Sequence, residues 1–172
     1  MELHFLPPEL RRLDEANVEL CACAIWTDER PMRGFAGLLD WRLGGRLSAL
    51  LKADFIRGGL GETLLVPGKP WLPFEKVLVV GLGARNEFGD VTFRRSVMAI
   101  AAALEGLKVR RAVVELPGRA SDAIEPERAV SLALDYLASS REHDAWWVVE
   151  DAASQRRVSE HKAEDRRRVR MG

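Results

Sequence analysis

The chain has 172 residues, of which 47% are hydrophobic, and its 26 basic residues are balanced by 26 acidic residues. This length and composition predict one domain with an apolar core and exclude a wholly disordered chain. The zero formal charge argues against a general polyanion binder. No stretch approaches the roughly 18 consecutive apolar residues of a membrane span, and the first residues lack the pattern of a signal peptide. We therefore expect a cytoplasmic protein without membrane association.

The first part of the chain combines apolar runs with one long helical pattern. Its predicted elements are strands at 2–6, 18–26 and 62–66, and helices at 9–14 and 34–54. The longest of these elements has hydrophobic residues at three- and four-residue steps, which is the pattern of one buried helix face. Gly44-Gly45 could bend or split it, because each glycine costs about 1 kcal/mol relative to alanine in a helix.

The stretch Phe74–Gly83 organises the predicted domain. Residues 77–80 form an unbroken apolar run, typical of a strand that is covered on both faces, and Gly81 and Gly83 end it. The carboxyl ends of such strands are the usual ligand positions in open α/β sheets. The candidate ligand-binding residues are therefore Gly81, Leu82, Gly83, Ala84, Arg85 and Asn86.

The remaining sequence continues the alternation of helices and strands. Its predicted elements are helices at 92–107 and 127–139 and strands at 111–116 and 145–149. Asp90 or Thr92 could cap the first of these helices. Trp146 and Trp147 point to opposite faces of the last strand, so we expect one in the core and the other under the C-terminal tail or at an interface. Together these elements predict an α/β domain with a mixed, mainly parallel sheet.

The two glycines at 81 and 83 do not complete a dinucleotide-binding fingerprint. The third glycine of G-x-G-x-x-G would fall on Asn86, and the next predicted helix begins several residues later. We therefore expect neither a nicotinamide nor a flavin cofactor, and we interpret the glycines as residues that a sharp strand exit requires.

Side chains that commonly bind metals or act as nucleophiles are few and scattered. Cys21 and Cys23 share one face of a predicted strand, and we interpret them as buried free thiols. The histidines at positions 4, 143 and 161 lack metal-ligand spacing, and we expect them to be solvated or to cap elements. In the acidic pair Glu150–Asp151, we expect Asp151 to cap a helix. The sequence thus predicts no catalytic residue and no metal site.

From residue 151 the composition becomes strongly charged. We divide the chain into a domain at 1–150 and a charged C-terminal helix or tail at 151–172. Nucleic-acid contact through this tail is conceivable, because phosphate binding requires only clustered cations. Aromatic residues for base stacking are not interleaved, so a solvated, partly helical tail is the better interpretation. The cations concerned are Arg156, Arg157, Arg166, Arg167 and Arg168.

Three consecutive segments resemble a known family. They are LDWRLGGRLSALLKADFIRGGLGETLLVPG, then FEKVLVVGLGARNEF, then RRAVVELPG. Over residues 18–149 the chain is similar to the N-terminal domain of the leucyl aminopeptidases, and the similarity is best at 39–88. This resemblance implies a three-layer α/β/α domain similar to macro domains.

The same resemblance implies that peptidase chemistry does not belong to these residues. In that family the metal ligands and catalytic residues lie in a C-terminal domain, on motifs such as N-T-D-A-E-G-R-L, which this sequence lacks. The N-terminal domain of those enzymes contributes to hexamer assembly, shapes access to the active site and, in some members, helps to bind DNA. These roles attach to surfaces rather than to matched residues.

Two hypotheses from different functional classes follow. The first is a non-catalytic, stand-alone domain with a binding, assembly or regulatory role, whose partner is a second copy or an aminopeptidase-type protein. The second is a macro-like domain that binds an ADP-ribose or nucleotide ligand at the loop 81–88, although the ligand loops of macro domains are not recognisable in this sequence.

Overall fold

The computed structural model describes residues 1–138 and 142–171, and within the last helix it describes no side chains at 165, 166 and 168–171. The strands are β1 (Glu2–Leu6), β2 (Leu20–Ile25), β3 (Thr63–Pro67), β4 (Lys76–Gly81), β5 (Arg111–Val114) and β6 (Ala145–Val149). The α-helices are α1 (Leu10–Glu15), α2 (Gly34–Arg42), α3 (Arg46–Lys52), α4 (Asp90–Gly106), α5 (Pro126–Leu137) and α6 (Ala152–Met171). Two short 3-10 helices lie at Arg85–Glu87 and Arg119–Ser121. The predicted end of α5 at residue 139 lies outside the described residues.

The six strands form one sheet in the order β1-β6-β5-β2-β4-β3. Every neighbouring pair is parallel except β3 with β4, which is antiparallel. Helices α1, α2 and α3 cover one face of the sheet, and α4, α5 and α6 cover the other. These three layers confirm the predicted α/β/α architecture with a mixed, mainly parallel sheet.

Strand β4 is covered on both faces, as its unbroken apolar run predicts. Val77 and Val79 pack in the core under α1–α3, while Leu78 and Val80 pack in the core under α4–α6. Because successive strand residues alternate between faces, a strand with two buried faces has no polar position. The hydrophobic effect therefore places β4 inside the sheet, between β2 and β3.

The two cysteines are free and buried, as predicted. Cys21 pairs with Val77 and Cys23 with Val79 across β2 and β4, so both thiols face the core under α1–α3. Burial is the main cause that raises the pKa of both thiols well above the usual value. Buried neutral thiols of this kind behave as small apolar side chains.

The helical pattern over 34–54 forms two helices instead of one. Gly44 and Gly45 have φ values of 66° and 80°, a left-handed conformation that glycine adopts without steric cost. Asp40 then stabilises the start of α3, because its carboxylate accepts hydrogen bonds from the backbone N–H and the hydroxyl of Ser48. A side chain from α2 therefore satisfies one of the free N–H groups at the start of α3.

The prediction that Asp90 or Thr92 is the N-cap residue of α4 was wrong, because the helix begins earlier in the chain than predicted. Gly89 is the N-cap residue, and the Thr92 hydroxyl oxygen lies 2.7 Å from its backbone nitrogen and 2.8 Å from its carbonyl oxygen. Asp90 is the first helical residue, where its negative charge interacts favourably with the positive end of the helix dipole.

Two aromatic residues on β6 face opposite layers. Trp146 is fully buried in the core under α4–α6, whereas Trp147 faces the α1–α3 side and is partly buried. The Trp147 ring stacks on His4 with ring centroids 5.0 Å apart, and the Arg111 guanidinium lies 5.1 Å from the ring centre. Placement of the second tryptophan under the C-terminal tail was wrong, because α6 packs on the opposite face of the sheet.

The solvated environment predicted for the histidines is wrong for His143. Its ring is buried edge-on against Trp146, with centroids 5.4 Å apart, because the chain enters β6 directly after it. Its Nε2 atom lies 3.3 Å from the Glu105 carboxylate. Burial lowers the pKa of His143, and the nearby Glu105 opposes that effect.

The C-terminal segment forms the long helix α6. Val158 packs in the core beside α5, and Ser154 is buried, so the first turns of α6 contribute to the domain interior. The division at residue 150 remains a prediction. None of the helices in the described part of the chain has the length and apolar content needed to cross a membrane.

Candidate functional site

A cavity of about 340 Å³ opens at the carboxyl ends of β5 and β6. Its walls come from the segment after β5, the segment after β6, the first turns of α2 and the turn after β1. The lining includes Phe35, Leu38, Glu115, Arg119, Val149 and Glu150. This is the edge of the sheet where open α/β folds place ligands, and the volume lies within the usual range of small-molecule sites.

One glycine lets the cavity walls approach each other. Gly34 has a φ of 58°, and a Cβ atom at this position would lie 2.5 Å from the Cβ of Ala120. Only glycine tolerates both the backbone conformation and this contact. The first turn of α2 can therefore lie directly against the segment that follows β5.

Arg119 joins the segments after β5 and β6. Its Nε lies 2.6 Å from Oε1 of Glu150, and its Nη2 lies 3.1 Å from Oε2 of the same carboxylate. Nη2 also donates to the Ser154 hydroxyl, and Nη1 donates to the carbonyl of Ile124 and to Asp122. Because its donors are used in this way, Arg119 acts as a structural brace rather than as a free anion-binding group.

The charge state of Arg119 follows from this pairing. Burial disfavours the charged guanidinium, but the hydrogen bonds and charges of Glu150 and Asp122 together outweigh burial and raise the pKa of Arg119. Both members of the pair are almost fully buried. Removal of either partner would leave an uncompensated charge inside the protein.

Glu115 follows β5 directly and lies deep in the cavity wall. Its side chain accepts a hydrogen bond from the backbone N–H of Ala24 at 2.8 Å, through Oε2. Burial raises the pKa of Glu115 to about 8, and the charges of Glu150 and Glu29 act in the same direction, while the bond from Ala24 opposes them. At neutral pH the side chain is therefore mainly a protonated carboxylic acid.

Asp151 caps α6, as predicted. Its Oδ1 accepts a hydrogen bond from the backbone N–H of Ser154 at 2.8 Å, and this bond is the main cause that lowers the pKa of Asp151. Gln155 adds a second bond, from its side-chain amide to the carbonyl of Glu150. The helix start is therefore held at the rim of the cavity.

The predicted ligand loop lies at the same edge of the sheet but does not line this cavity. Gly81 ends β4, and a Cβ atom there would lie 2.0 Å from the carbonyl oxygen of Gly59. The backbone N–H of Leu82 donates to Ile25, and that of Gly83 donates to Gly58. The two glycines thus make a close-packed strand exit.

The outer residues of this loop are tied to the segment after β2. The backbone N–H of Arg85 lies 3.3 Å from both oxygens of Asp28, and its guanidinium pairs with Glu29. The guanidinium also lies 5.6 Å from the centre of the Trp26 ring. Ala84 and Asn86 complete the turn as partly buried and exposed residues, respectively. Ligand binding by Gly81–Asn86 stays a prediction, and a phosphate would compete with these protein acceptors.

Sequence reasoning did not select Glu115 and Arg119. A signal for them exists, because an acidic residue directly follows the apolar run of β5 and an arginine comes four residues later. A charged residue at the end of a buried strand is expensive to bury unless it is paired or protonated. The sequence could therefore have indicated the segment after β5 as a candidate site, together with the segment after β4.

Metal ligands and the basic tail complete the inventory of predicted sites. In the described residues, no group of three or more His, Cys, Asp or Glu side chains is placed to hold a metal ion. On α6, Arg157 pairs with Glu127 of α5 and with Glu125, the N-cap residue of that helix, and Arg156 is exposed. The side chains at 166 and 168 lie outside the described part. Nucleic-acid contact through this helix stays a prediction.

Sequence comparison relates the chain to one protein family. The family model described as "Cytosol aminopeptidase family, N-terminal domain" matches residues 25–145. The probable cytosol aminopeptidase of Halorhodospira halophila is 37% identical over 90 residues, which are 52% of this chain and 18% of that protein. The cytosol aminopeptidase of Pseudomonas aeruginosa is 33% identical over 109 residues, 63% of this chain and 22% of that protein. The matches thus span about a fifth of these relatives.

Solved structures show the same fold at low sequence identity. The Trypanosoma brucei macrodomain in complex with ADP-ribose matches with a TM-score of 0.69 and 17% identity, covering 92% of this chain and 67% of that one. A tomato leucine aminopeptidase mutant matches with a TM-score of 0.64 and 16% identity, covering 92% of this chain and 35% of that one. At these identities the likeness concerns the fold alone.

Proposed function

We propose that this chain, which belongs to the cytosol aminopeptidase family through its N-terminal domain, is a non-catalytic binding domain that docks on the catalytic part of an aminopeptidase-type chain. The non-catalytic part of the proposal is supported by the region matched, which is the N-terminal domain of the family. The cytosolic names of the relatives support a cytoplasmic location.

The observation that carries the proposal is an exposed pair of tryptophans on the α1–α3 layer. Trp41, at the end of α2, is 71% exposed, and Trp71, in the turn between β3 and β4, is 62% exposed. Large exposed aromatic side chains are enriched at protein interfaces, where they supply much of the binding energy. We call Trp41 and Trp71 the tryptophan surface.

A neighbouring arginine fixes the backbone at Trp71. Arg42 donates from Nε to the carbonyl of Trp71 at 3.1 Å, and its Nη2 binds both oxygens of Asp14 at 2.8 and 3.0 Å. These bonds link α2, the β3–β4 turn and the end of α1. A surface that is ordered before binding loses less conformational entropy on association.

The relatives supply the argument for the partner. The matched residues make up 14% to 22% of the cytosol aminopeptidases compared, so this domain has a much larger neighbouring region in those proteins. We therefore assign an aminopeptidase-type catalytic chain as the occupant of the tryptophan surface. Self-association through a second copy is the competing occupant.

Sedimentation velocity tests the proposal on the untagged protein, alone and mixed with a cytosol aminopeptidase purified from the same cells. We expect a complex with the wild-type chain and at least tenfold weaker binding by the double variant W41S/W71S. Val91→Ser is the matched control, because Val91 is also 71% exposed but lies on α4, in the opposite layer. Equal binding by both variants would contradict the proposal.

Two further outcomes of the same preparation separate the alternatives. A multimer of the protein alone, dissociated by W41S/W71S, would assign the tryptophan surface to a second copy instead. Measurable aminopeptidase turnover by the pure chain with manganese or zinc would refute its non-catalytic character.

A second candidate function is nucleotide binding at Gly81–Asn86. Its support is the position of this loop at the carboxyl edge of the sheet, together with the fold shared with a macrodomain that binds ADP-ribose. Titration calorimetry with ADP-ribose tests it. A flat titration removes the candidate, whereas binding that is lost in Asn86→Ala and kept in Glu105→Ala supports it.

A further inference from the structure

We infer that the cavity at the carboxyl ends of β5 and β6 binds a small organic cation, with its ammonium group against Glu115 and its apolar part against Phe35, Leu38 and Val149. This site is separate from the tryptophan surface and from the loop Gly81–Asn86. The inference does not depend on the proposed docking function.

The first argument is the incomplete hydrogen bonding of Glu115. The side chain is only 3% exposed, and its Oε2 accepts the bond from Ala24. Within the described residues, the bond from Ala24 is the one hydrogen bond that the structure gives the Glu115 side chain, and Glu115 lines the cavity. A carboxyl group has more acceptor sites than one hydrogen bond fills, so Glu115 has capacity left for a ligand donor.

The second argument is the charge around the cavity. Asp122, Glu150 and Asp151 line it together with a single arginine, Arg119. Since Arg119 is already paired with Glu150 and bonded to Asp122, the charges near Glu115 are net negative. Such a surface attracts cations and repels phosphates and carboxylates.

The third argument is the apolar part of the wall. Phe35 and Leu38 on α2, Val149 at the end of β6 and Pro8 after β1 contribute apolar side chains to the lining of the cavity. A site with apolar walls and one convergent polar group suits a ligand with one charged end and a hydrocarbon body. An alkylammonium ion has this chemistry.

Binding of a cation should release the proton of Glu115. The pKa of free Glu115 is about 8, because burial and the charges of Glu150 and Glu29 disfavour its ionised form. The thiols of Cys21 and Cys23 on β2, which also interact with Glu115, have raised pKa values and stay neutral. A bound ammonium group stabilises the carboxylate, so the pKa of Glu115 falls in the complex.

Calorimetric titration with hexylammonium, hexanol and hexanoate tests the inference on the full chain. We expect hexylammonium to bind at least tenfold more tightly than either matched compound. In buffers of different ionisation enthalpy, binding at pH 7 should release a proton, and binding at pH 9 should release less, because the fraction of protonated free Glu115 falls as pH rises.

The variant Glu115→Gln keeps the size of the side chain and an acceptor for Ala24, but removes the titration. We expect it to bind hexylammonium at least tenfold more weakly and to release no proton, whereas the control Glu87→Gln, on the loop outside the cavity, should behave as wild type. Proton release by the wild type is decisive even if Glu115→Gln folds poorly. Binding without proton release, no binding of hexylammonium, or tighter binding of hexanoate would each overturn the inference.

Discussion

The exits of β4 and of β5 lie at the same edge of one sheet, yet they are built differently. After β4, Gly81 and Gly83 allow the backbone to pack against Gly58 and Gly59, and their N–H groups find protein acceptors. After β5, Glu115 and Arg119 instead line a cavity of about 340 Å³. Glycine-rich exits can close on themselves, whereas an exit with a buried charge needs compensation.

The compensation after β5 also makes that region sensitive to mutation. Arg119 and Glu150 neutralise each other inside the protein. Glu115 stays protonated at neutral pH, so no negative charge is buried at this position. The glycine exit after β4 has no such charges, and its stability depends on close packing. Four experiments test this difference between the two strand exits, in order of decreasing expected effect on stability.

Arg119→Met should have the largest effect on stability, because it leaves Glu150 buried without its partner. We expect the free energy of unfolding at pH 7 to fall by about 3–5 kcal/mol, measured by urea denaturation. Arg128→Met is the control, because its pair with Asp90 is exposed and should contribute little to stability. Similar losses in both variants would mean that the buried pair does not brace the cavity.

Glu115→Gln should change the pH dependence of stability. The folded pKa of about 8 lies above the unfolded value of about 4.3, so the folded state binds the extra proton between these values. Stability from this group is therefore present at acid pH and is lost as pH rises towards 8, with a slope of at most about 1.4 kcal/mol per pH unit.

The comparison of unfolding free energies from pH 5 to pH 9 checks this prediction. The wild type should lose stability relative to Glu115→Gln as pH rises, by about 4 kcal/mol over the range. Glu87→Gln should follow the wild type. Parallel curves for wild type and Glu115→Gln would show that Glu115 is ionised in the folded protein throughout.

Gly81→Ala tests the close packing after β4. The added Cβ atom would lie 2.0 Å from the carbonyl oxygen of Gly59, so the backbone must shift. We expect a loss of about 2 kcal/mol in the free energy of unfolding. Gly106→Ala is the control, since a Cβ atom there meets nothing within 4 Å and a helical alanine is favoured. A tolerated Gly81→Ala would mean that the exit is loosely packed.

Asp151→Ala should have the smallest effect, because it removes one capping bond at the start of α6. We expect a loss of about 1 kcal/mol, with faster amide hydrogen exchange in the first turns of α6. Glu160→Ala, in the middle of the same helix and exposed, should leave exchange at the helix start unchanged. An unchanged exchange rate in Asp151→Ala would mean that the Gln155 hydrogen bond, and not Asp151, stabilises the start of α6.

Much of the fold could be predicted from the sequence, because local patterns specify it. The apolar run at 77–80 predicted a strand with two covered faces, and the two free cysteines were correctly predicted to share one buried face. Gly44-Gly45 was a possible break, and its left-handed conformation divides the helical pattern there. His143 was predicted incorrectly, because the ring that covers it belongs to Trp146 on the following strand.

The cavity was harder to predict because its parts are distant in the chain. Glu115 interacts with Ala24, Arg119 with Glu150, and Gly34 with Ala120. No periodic pattern records such contacts, since each depends on how two separate loops meet at the edge of the sheet. Gly81–Asn86 were predicted to bind a ligand because they follow the end of β4. The sequence does not indicate that other loops pack closely against these residues.

By itself the sequence determined the alternation of strands and helices, the two-sided burial of β4 and the resemblance to the aminopeptidase N-terminal domain, since apolar periodicity and segment order are properties of the linear chain. The tertiary structure decided which strand exit stays open. Whether Gly81 is free or packed, and whether Glu115 is ionised or protonated, depends on groups brought close only by folding. Desolvation and close packing act through space, so neither can be read from neighbours in sequence.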